Sequence, residues 1–261
     1  MPRFAANLTM LFNDSPFPER IDRAARAGFS GIEFLFPYSE DVDAIRDALR
    51  RNNITQVLFN LPAGDFAGGE RGIANDPTRT EEFREGVKQA LDIADTLDCS
   101  MLNCLSGLAV DGVDHDTQWK TLVENFRYAA EQAESAGVLQ LVEPINTFDM
   151  PGFMVSSTSE GLKLINDVGH SNLKLQYDVY HMQRMEGELI GTMKANLEVI
   201  EHIQIADNPG RHQPGTGEIN YPFVLSQIDQ MGYRGWVSLE YVPDGTTEDT
   251  LGWLRDWGYW S

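Results

Sequence analysis

Short runs of β-branched, aromatic and other apolar residues alternate along the chain with longer segments in which apolar residues recur every three or four positions. The short runs predict buried strands, whereas the longer period predicts amphipathic helices. We predict eight strands, over residues 4–10, 31–36, 55–61, 100–105, 139–145, 173–180, 202–207 and 236–241. Between them lie helical segments such as PERIDRAARAGF, TEEFREGVKQALDIADTLDC and DTQWKTLVENFRYAAEQAESAG. Strand and helix therefore alternate through the whole chain.

Eight strand–helix units fit two architectures, a single (β/α)₈ TIM barrel and a doubly wound open sheet. No linker rich in Gly, Ser or Pro divides the 261 residues. Most strands carry a polar residue near their C-terminal end, namely Asn7, Glu33, Asn60, Asn103, Glu143, Asp178, Gln204 and Glu240. A barrel brings all of these ends to one face, whereas an open sheet spreads them along an edge. We therefore predict one TIM-barrel domain over residues 1–261.

The last four polar residues predict a metal site. They are Glu143, Asp178, Gln204 and Glu240, separated by 35, 26 and 36 residues, about one strand–helix unit each. Three carboxylates and an amide oxygen that converge would repel one another unless a cation lies between them. Oxygen ligands without a thiolate favour Mg²⁺ or Mn²⁺ over zinc. The alternative, a hydrogen bond from each residue to a neighbouring loop, is reasonable for one residue but less so for four on consecutive strands.

Histidine and arginine residues near the same face are candidates for binding a substrate. His181 follows Asp178 by three residues, close enough to hydrogen-bond a substrate oxygen, although it could also be a histidine that only packs in a loop. Arg211, in the loop after the seventh strand, has a guanidinium that can grip a carboxylate. His202 points the same way as Gln204 but one layer deeper, which favours a role in the core or behind the site. The glycine-rich segment PGTGEINY is interpreted as a turn.

The charge balance disfavours some classes of binding partner. Lys and Arg total 20 against 40 Asp and Glu, a formal net charge of −20, which disfavours binding to nucleic acid or to an anionic membrane. No apolar run predicts a signal peptide or a membrane span. Cys99 and Cys104 are expected to be free thiols, since two cysteines make a poor metal site. We expect a cytoplasmic protein that acts on a small molecule.

Four longer segments are distinctive. They are LPAGDFAGGERGIA (61–74), LVEPINTFDMPGF (141–153), LQYDVYHMQRMEGEL (175–189) and HIQIADNPGRHQPGTGEINY (202–221). Together they resemble the corresponding segments of the hydroxypyruvate isomerase family, and the resemblance extends from RFAANLTMLF near the start of the chain to TEDTLGWL near its end. That family belongs to the xylose-isomerase-like barrels, so the resemblance also implies a TIM barrel.

The resemblance implies a specific reaction, the reversible aldose–ketose isomerisation of hydroxypyruvate to tartronate semialdehyde (2-hydroxy-3-oxopropanoate). It makes Glu143 and Glu240 the catalytic acid/base pair, and it makes the four residues of the predicted metal site the ligands of a divalent metal. A carboxylate would remove a proton from the carbon next to the carbonyl, and the metal would stabilise the enediolate. The proton would then return to the adjacent carbon.

Contacts with the small anionic 2-oxo acid substrate follow from the same resemblance. His181 and Arg211 match positions that contact substrate in related sugar isomerases and epimerases. Glu70 and Arg71, in the loop after the third strand, lie in a motif shared with the family and are expected to bind substrate. Relatives often have Lys after the final Glu-Tyr, whereas this chain has Val242. Arg71 or Arg211 would then carry more of the contact with the substrate carboxylate.

Several alternatives stay open at this point. A 2-oxo-tetronate isomerase would use the same ligands and a longer pocket, and a ketose 3-epimerase usually has His where this chain has Gln204. A non-catalytic binding or assembly protein could also use a barrel scaffold, since fold alone does not determine function. An endonuclease is disfavoured by five scattered histidines and by the net charge. The aromatic C-terminal run WLRDWGYW either packs on the outer helices or contacts another subunit in a homo-oligomer.

Overall fold

Eight parallel strands close into a barrel in the computed structural model, which describes residues 1–260. Each strand pairs with the next in chain order, and the last pairs with the first. The strands are β1 (Arg3–Asn7), β2 (Gly31–Glu33), β3 (Thr55–Asn60), β4 (Met101–Cys104), β5 (Leu139–Val142), β6 (Leu173–Asp178), β7 (Ile200–Ile205) and β8 (Trp236–Leu239). The closed sheet confirms the predicted (β/α)₈ TIM barrel and excludes the doubly wound alternative.

Helices connect successive strands around the outside of the barrel. They are α1 (Phe17–Ala27), α2 (Val42–Asn52), α3 (Thr80–Leu97), α4 (His115–Ser135), α5 (Thr158–Val168), α6 (Val179–Met185), α7 (Leu189–Ala195), α8 (Tyr221–Gln230) and α9 (Gly252–Asp256), with a 3₁₀ helix over Glu248–Leu251. The longer helices are amphipathic, as predicted. Each is stabilised by burying its apolar face against the sheet. Among residues 1–260, no helix is long and apolar enough to cross a membrane.

Apolar side chains from several strands meet in the lower part of the barrel. Ala5, Leu58, Leu141 and Trp236 form one buried cluster, although β1, β3 and β5 are not neighbours in the sheet. Side chains from such strands can meet only inside the barrel. Gly31 makes room for this layer, since a Cβ there would lie 2.6 Å from the ring of Trp236. Part of the barrel interior below the polar strand ends is therefore apolar.

The aromatic C-terminal run covers the outer wall of the barrel. The ring of Trp253 packs edge-on against Phe4 at 5.6 Å between centroids, and Trp260 packs in the same way on Phe29 at 4.9 Å. Trp253 is buried. These contacts support packing within the chain as the role of this segment.

Several strands are shorter than predicted, and one helix begins earlier. Glu143 and Glu240 lie one residue beyond β5 and β8, and α6 starts directly after Asp178. The side chain of Asp178 accepts hydrogen bonds from the backbone N–H groups of Tyr180 and His181 and so caps α6. His181 therefore lies in the first helical turn and not in a loop, because the aspartate at the end of the strand also starts the helix.

Gly31→Ala should destabilise the protein by about 1–3 kcal/mol, because the added methyl would overlap the ring of Trp236 in the lower part of the barrel. Gly252→Ala is the control, since a Cβ at that position meets no atom within 4 Å. Urea denaturation of the two variants should show the loss only for Gly31→Ala. Equal stability of both variants would contradict this packing.

Candidate active site

Four polar side chains meet at the mouth of the barrel, at the C-terminal ends of β5 to β8. They are Glu143, Asp178, Gln204 and Glu240, and none is more than 5% exposed. The structure thus brings together the four residues that the sequence predicts as metal ligands. In TIM barrels this end of the strands is where catalytic residues lie. The mouth of the barrel is accordingly the candidate active site.

His181 and Arg211 lie among these carboxylates. Nε2 of His181 is 3.5 Å from Oδ2 of Asp178 and 3.7 Å from Oε1 of Glu143. Nη2 of Arg211 donates a hydrogen bond to Oε1 of Glu240 at 2.6 Å and lies 3.7 Å from Oδ2 of Asp178. Two of the four predicted substrate-binding residues therefore reach the same point as the carboxylates, and Arg211 partly neutralises them.

Burial and crowding change the proton affinities of these groups. Burial, with the charges of Glu240 and Asp178, raises the pKa of Glu143 well above its usual value. Burial also raises the pKa of Glu240 to about 8, although Arg211 opposes the rise. The pKa of Asp178 is raised by burial as well. Since each shift disfavours the ionised form, an additional cation at this point would stabilise the carboxylates.

The residues present fit a divalent cation. Glu143, Asp178 and His181 each offer one potential ligand atom, and these atoms lie within 4.8 Å of one another. Oδ2 of Asp178 is buried and has no hydrogen-bond partner, which is costly for a carboxylate oxygen. A cation beside it would remove that cost. The cluster differs from the predicted ligand set because His181 belongs to it.

Gln204 presents its nitrogen to the mouth of the barrel. Its Nε2 donates hydrogen bonds to Glu33 and Glu240, while its Oε1 accepts one from Nε2 of Gln176 at 2.6 Å. The geometry thus shows Gln204 as a donor that orients Glu240. Its role as a metal ligand, which requires the amide oxygen, stays a prediction.

A buried hydrogen-bonded pair supports Glu240 from below. Nε2 of His202 lies 2.6 Å from Oε2 of Glu33, and Oε1 of Glu33 accepts hydrogen bonds from Asn7 and Gln204. Both of these amides also donate to Glu240. Although burial raises the pKa of Glu33, the His202 imidazole and the Gln204 amide bring that pKa below its usual value. His202 therefore lies behind the site, as its position two residues before Gln204 predicts.

Glu143 has a similar support on the other side of the mouth. Nδ2 of Asn103 donates to Oε2 of Glu143 at 3.1 Å and lies 3.2 Å from Oδ1 of Asn60. All three side chains come from the polar strand ends identified in the sequence. The strand ends thus provide both the carboxylates and the amides that orient them.

Asp207 holds the loop that carries Arg211. Its buried carboxylate accepts hydrogen bonds from four backbone N–H groups, those of Asn208, Gly215, Gly217 and Ile219. The glycine-rich segment is therefore a turn, as predicted, and the turn is built around Asp207. Asp207 itself was not among the predicted residues, and its only signal in the sequence is an acidic residue directly before a loop rich in Gly and Pro.

A second missed residue lies in the loop after β5. Nδ2 of Asn146 is 2.6 Å from Nδ1 of His181, and both side chains are buried. The signal available in the sequence was an amide three residues after Glu143, within the segment LVEPINTFDMPGF.

Glu70 and Arg71 are not brought to the carboxylates. Glu70 pairs with Arg79 and accepts the backbone N–H of Asp65. Arg71 donates to the carbonyl oxygen of Phe66 at 2.9 Å, and its guanidinium lies 4.2 Å from the centre of that ring. Within residues 1–260 neither side chain forms a hydrogen bond or an ion pair with the residues at the mouth of the barrel. Their contact with substrate stays a prediction.

Comparison with known proteins identifies close relatives. Residues 21–257 match a family described as xylose isomerase-like TIM barrel. The chain is 51% identical over 254 residues to the hydroxypyruvate isomerase of Escherichia coli (strain K12), covering 97% of this chain and 98% of that protein. It is 42% identical over 255 residues to a 2-oxo-tetronate isomerase of Cupriavidus necator, covering 98% of each.

A solved structure agrees with the fold. A crystal structure described as AP endonuclease, family 2, from Brucella melitensis superposes with a TM-score of 0.95 at 47% sequence identity. The match covers 98% of this chain and 99% of that one. The barrel and its loops are therefore shared over almost the whole length.

Asp207→Ala should destabilise the protein by about 1–3 kcal/mol, because four backbone N–H groups of the loop would lose their acceptor. Asp244→Ala, which removes an exposed carboxylate from the neighbouring loop after β8, is the control. Chemical denaturation should separate the two variants. A neutral Asp207→Ala would show that the loop does not depend on this carboxylate.

Proposed function

The chain belongs to the xylose isomerase-like TIM barrel family, and we propose that it is an isomerase that interconverts hydroxypyruvate and tartronate semialdehyde. Its relative in Escherichia coli, at 51% identity over nearly the full length of both chains, is named for the isomerisation of hydroxypyruvate. The reaction moves one hydrogen from C3 to C2 and one hydroxyl proton from O3 to O2. An enzyme for it needs groups that accept and return a proton on neighbouring carbons.

The observation that carries this proposal is the placement of Glu143 and Glu240. They follow β5 and β8, which are three strands apart in an eight-stranded barrel, so they reach a small substrate from nearly opposite sides. One carboxylate removes the proton from C3 to form the enediolate, and the pair returns a proton to C2. Asn103 and Gln204 hold the two carboxylates in place by donating hydrogen bonds to them.

Arg211 and His181 are placed to bind the carboxylate and an oxygen of a short 2-oxo acid. In the part of the chain that the structure describes, only Nη2 of Arg211 contacts side chains at the mouth, and the Arg211 side chain is 18% exposed, so its guanidinium retains donors for a substrate carboxylate besides its bond to Glu240. His181 faces the same space and can donate to a substrate oxygen. Because Val242 is half exposed and carries no charge, Arg211 is the cation at the mouth that is placed to bind the carboxylate.

We propose Mg²⁺ or Mn²⁺ as the metal of this site, held by Glu143, Asp178, Gln204 and Glu240. The unpartnered Oδ2 of Asp178 and the oxygen-rich surroundings support a hard divalent cation. Such an ion, when bound, supplies a Lewis acid that stabilises negative charge on substrate oxygens. Gln204 would join through the amide oxygen that here accepts from Gln176.

A four-carbon substrate is the second candidate, because the 2-oxo-tetronate isomerase of Cupriavidus necator is 42% identical over 98% of both chains. Proton transfer between neighbouring carbons would use the same pair of glutamates. The two candidates therefore differ in how much room the mouth leaves beyond the reacting carbons, and turnover of the two acids compares them directly. A ketose 3-epimerase is less consistent with Gln204, where such enzymes usually have His.

The net charge and the cysteines support the proposals about binding partners and the cellular compartment. With a net charge of −20 the protein should not bind nucleic acid, even though its structural relative from Brucella melitensis is described as an endonuclease. The buried free thiols of Cys99 and Cys104 suit a reducing compartment such as the cytoplasm. A homo-oligomer stays a prediction.

Glu143→Gln and Glu240→Gln should each lower kcat for hydroxypyruvate by at least about 100-fold, because an amide cannot exchange the proton. Glu131→Gln, on the exposed face of α4, should leave kcat unchanged. Turnover is measured beside that of a four-carbon 2-oxo acid. Full activity of either site variant would exclude the mechanism, and faster turnover of the longer acid would reassign the substrate.

Asp178→Asn should weaken binding of Mg²⁺ and Mn²⁺ at least about tenfold, because it removes charge from the unpartnered oxygen of the site. Metal-free stability should not fall, since one of three mutually repelling carboxylates is lost. Isothermal titration calorimetry measures the affinity, with Asp244→Asn as a control for net charge. An unchanged affinity in Asp178→Asn would count against this ligand.

A further inference from the structure

Asn146 contacts Nδ1 of His181, the ring nitrogen that does not lie beside Glu143 and Asp178. Its side-chain Nδ2 lies 2.6 Å from Nδ1 of His181, and its backbone N–H lies 3.5 Å from the same ring nitrogen. Both residues are buried. The hydrogen bond therefore joins two groups that have no water to replace either partner, and the position of each proton matters.

The orientation of the Asn146 amide is determined by its other contacts. Oδ1 accepts the backbone N–H groups of Phe148 at 3.1 Å and Asp149 at 2.9 Å, whereas Nδ2 donates to Oδ2 of Asp149 at 3.0 Å. Exchanging the oxygen and the nitrogen would place NH₂ against two donors and the oxygen against a carboxylate. Asn146 must therefore present its NH₂ group to His181.

A donor at Nδ1 determines the tautomer of a neutral imidazole. Because Nδ1 of His181 accepts from Asn146, the ring proton must lie on Nε2. The negative charges of Asp178 and Glu143, whose oxygens lie 3.5 and 3.7 Å from Nε2, also favour a proton on that nitrogen. Nη2 of Arg211 is also 3.5 Å from Nε2, but that distance is too long to compete with the 2.6 Å contact at Nδ1.

We propose that Asn146 is a positioning residue that holds His181 in the Nε2–H tautomer. His181 then offers a hydrogen-bond donor to a substrate oxygen and no lone pair to a metal ion. Three groups lie close enough to share a cation, the carboxylates of Glu143 and Asp178 and the imidazole of His181. In this tautomer only the two carboxylates can be metal ligands. The identity of the acceptor rests on the proposed function, in which the enediolate oxygen needs such a donor.

The tautomer can be measured without any substrate. In protein labelled with ¹⁵N-histidine, two-bond ¹H–¹⁵N correlation spectra distinguish a protonated Nε2 from a protonated Nδ1, and His181 is assigned by the signal lost in His181→Gln. We expect a protonated Nε2 and an unprotonated Nδ1 for this residue. A protonated Nδ1, or a signal averaged over both tautomers, would overturn the proposal.

Asn146→Asp tests the role of the amide. It keeps an acceptor for the N–H groups of Phe148 and Asp149 but replaces the donor with an oxygen, so the proton of His181 should move to Nδ1. We expect the ¹⁵N pattern to invert and kcat to fall at least about tenfold, with KM changed less. Since Nε2 would then carry a lone pair, the affinity for Mn²⁺, measured by calorimetry, should rise. An unchanged pattern would show that Asn146 does not set the tautomer.

Two further variants keep the outcome interpretable. Phe148→Asp adds the same charge to the same loop but leaves Asn146 in place, so its His181 pattern should match the wild type. Asn146→Ala, which removes the donor without adding charge, should give a mixture of tautomers even if Asn146→Asp does not fold. The predicted pattern in a protein that does not turn over hydroxypyruvate would retain this proposal and reject the proposed function.

Discussion

The structure of the active site depends on the repulsion among three buried carboxylates at the mouth of the barrel. Glu143, Asp178 and Glu240 are at most 5% exposed, and burial raises the pKa of each. Such an arrangement is stable only if positive charge or hydrogen-bond donors compensate for the lost hydration. Arg211 supplies the charge within the chain, and the loop that carries it is tied to the barrel by Asp207. A divalent cation beside Asp178 would extend the same compensation.

This polar site lies above an apolar cluster inside the barrel. Ala5, Leu58, Leu141 and Trp236 meet in the lower interior, and Gly31 leaves the space that the tryptophan ring needs. Because the polar groups above this cluster are buried, they must satisfy one another. This constraint explains why each carboxylate at the mouth has a support from a strand or a helix start, and why so many of those supports are amides.

Amides at this site act by presenting a defined donor or acceptor. Glu33 accepts from Asn7 and Gln204 and thereby turns their NH₂ groups to where Glu240 can also accept them. In the same way, backbone donors on one side of Asn146 turn its NH₂ group towards His181. The oxygen of a buried amide accepts hydrogen bonds and its NH₂ group donates them. The contacts of the amide therefore show which neighbouring atoms carry a proton.

The alternation of strands and helices, and the polar residue at the end of each strand, determined the barrel and the convergence of Glu143, Asp178, Gln204 and Glu240. Both follow from local periodicity and from the geometry that a closed parallel sheet imposes on strand ends. The partners of these residues were decided only in three dimensions. Glu70 and Arg71 bind within their own loop, whereas Asn146 and Asp207 take up central positions, because the path of a loop depends on which buried donors and acceptors it can satisfy. Hydrogen bonds between residues far apart in the chain leave no periodic pattern in the sequence, so the tautomer of His181 and the bond from Arg211 to Glu240 were set by the tertiary structure alone.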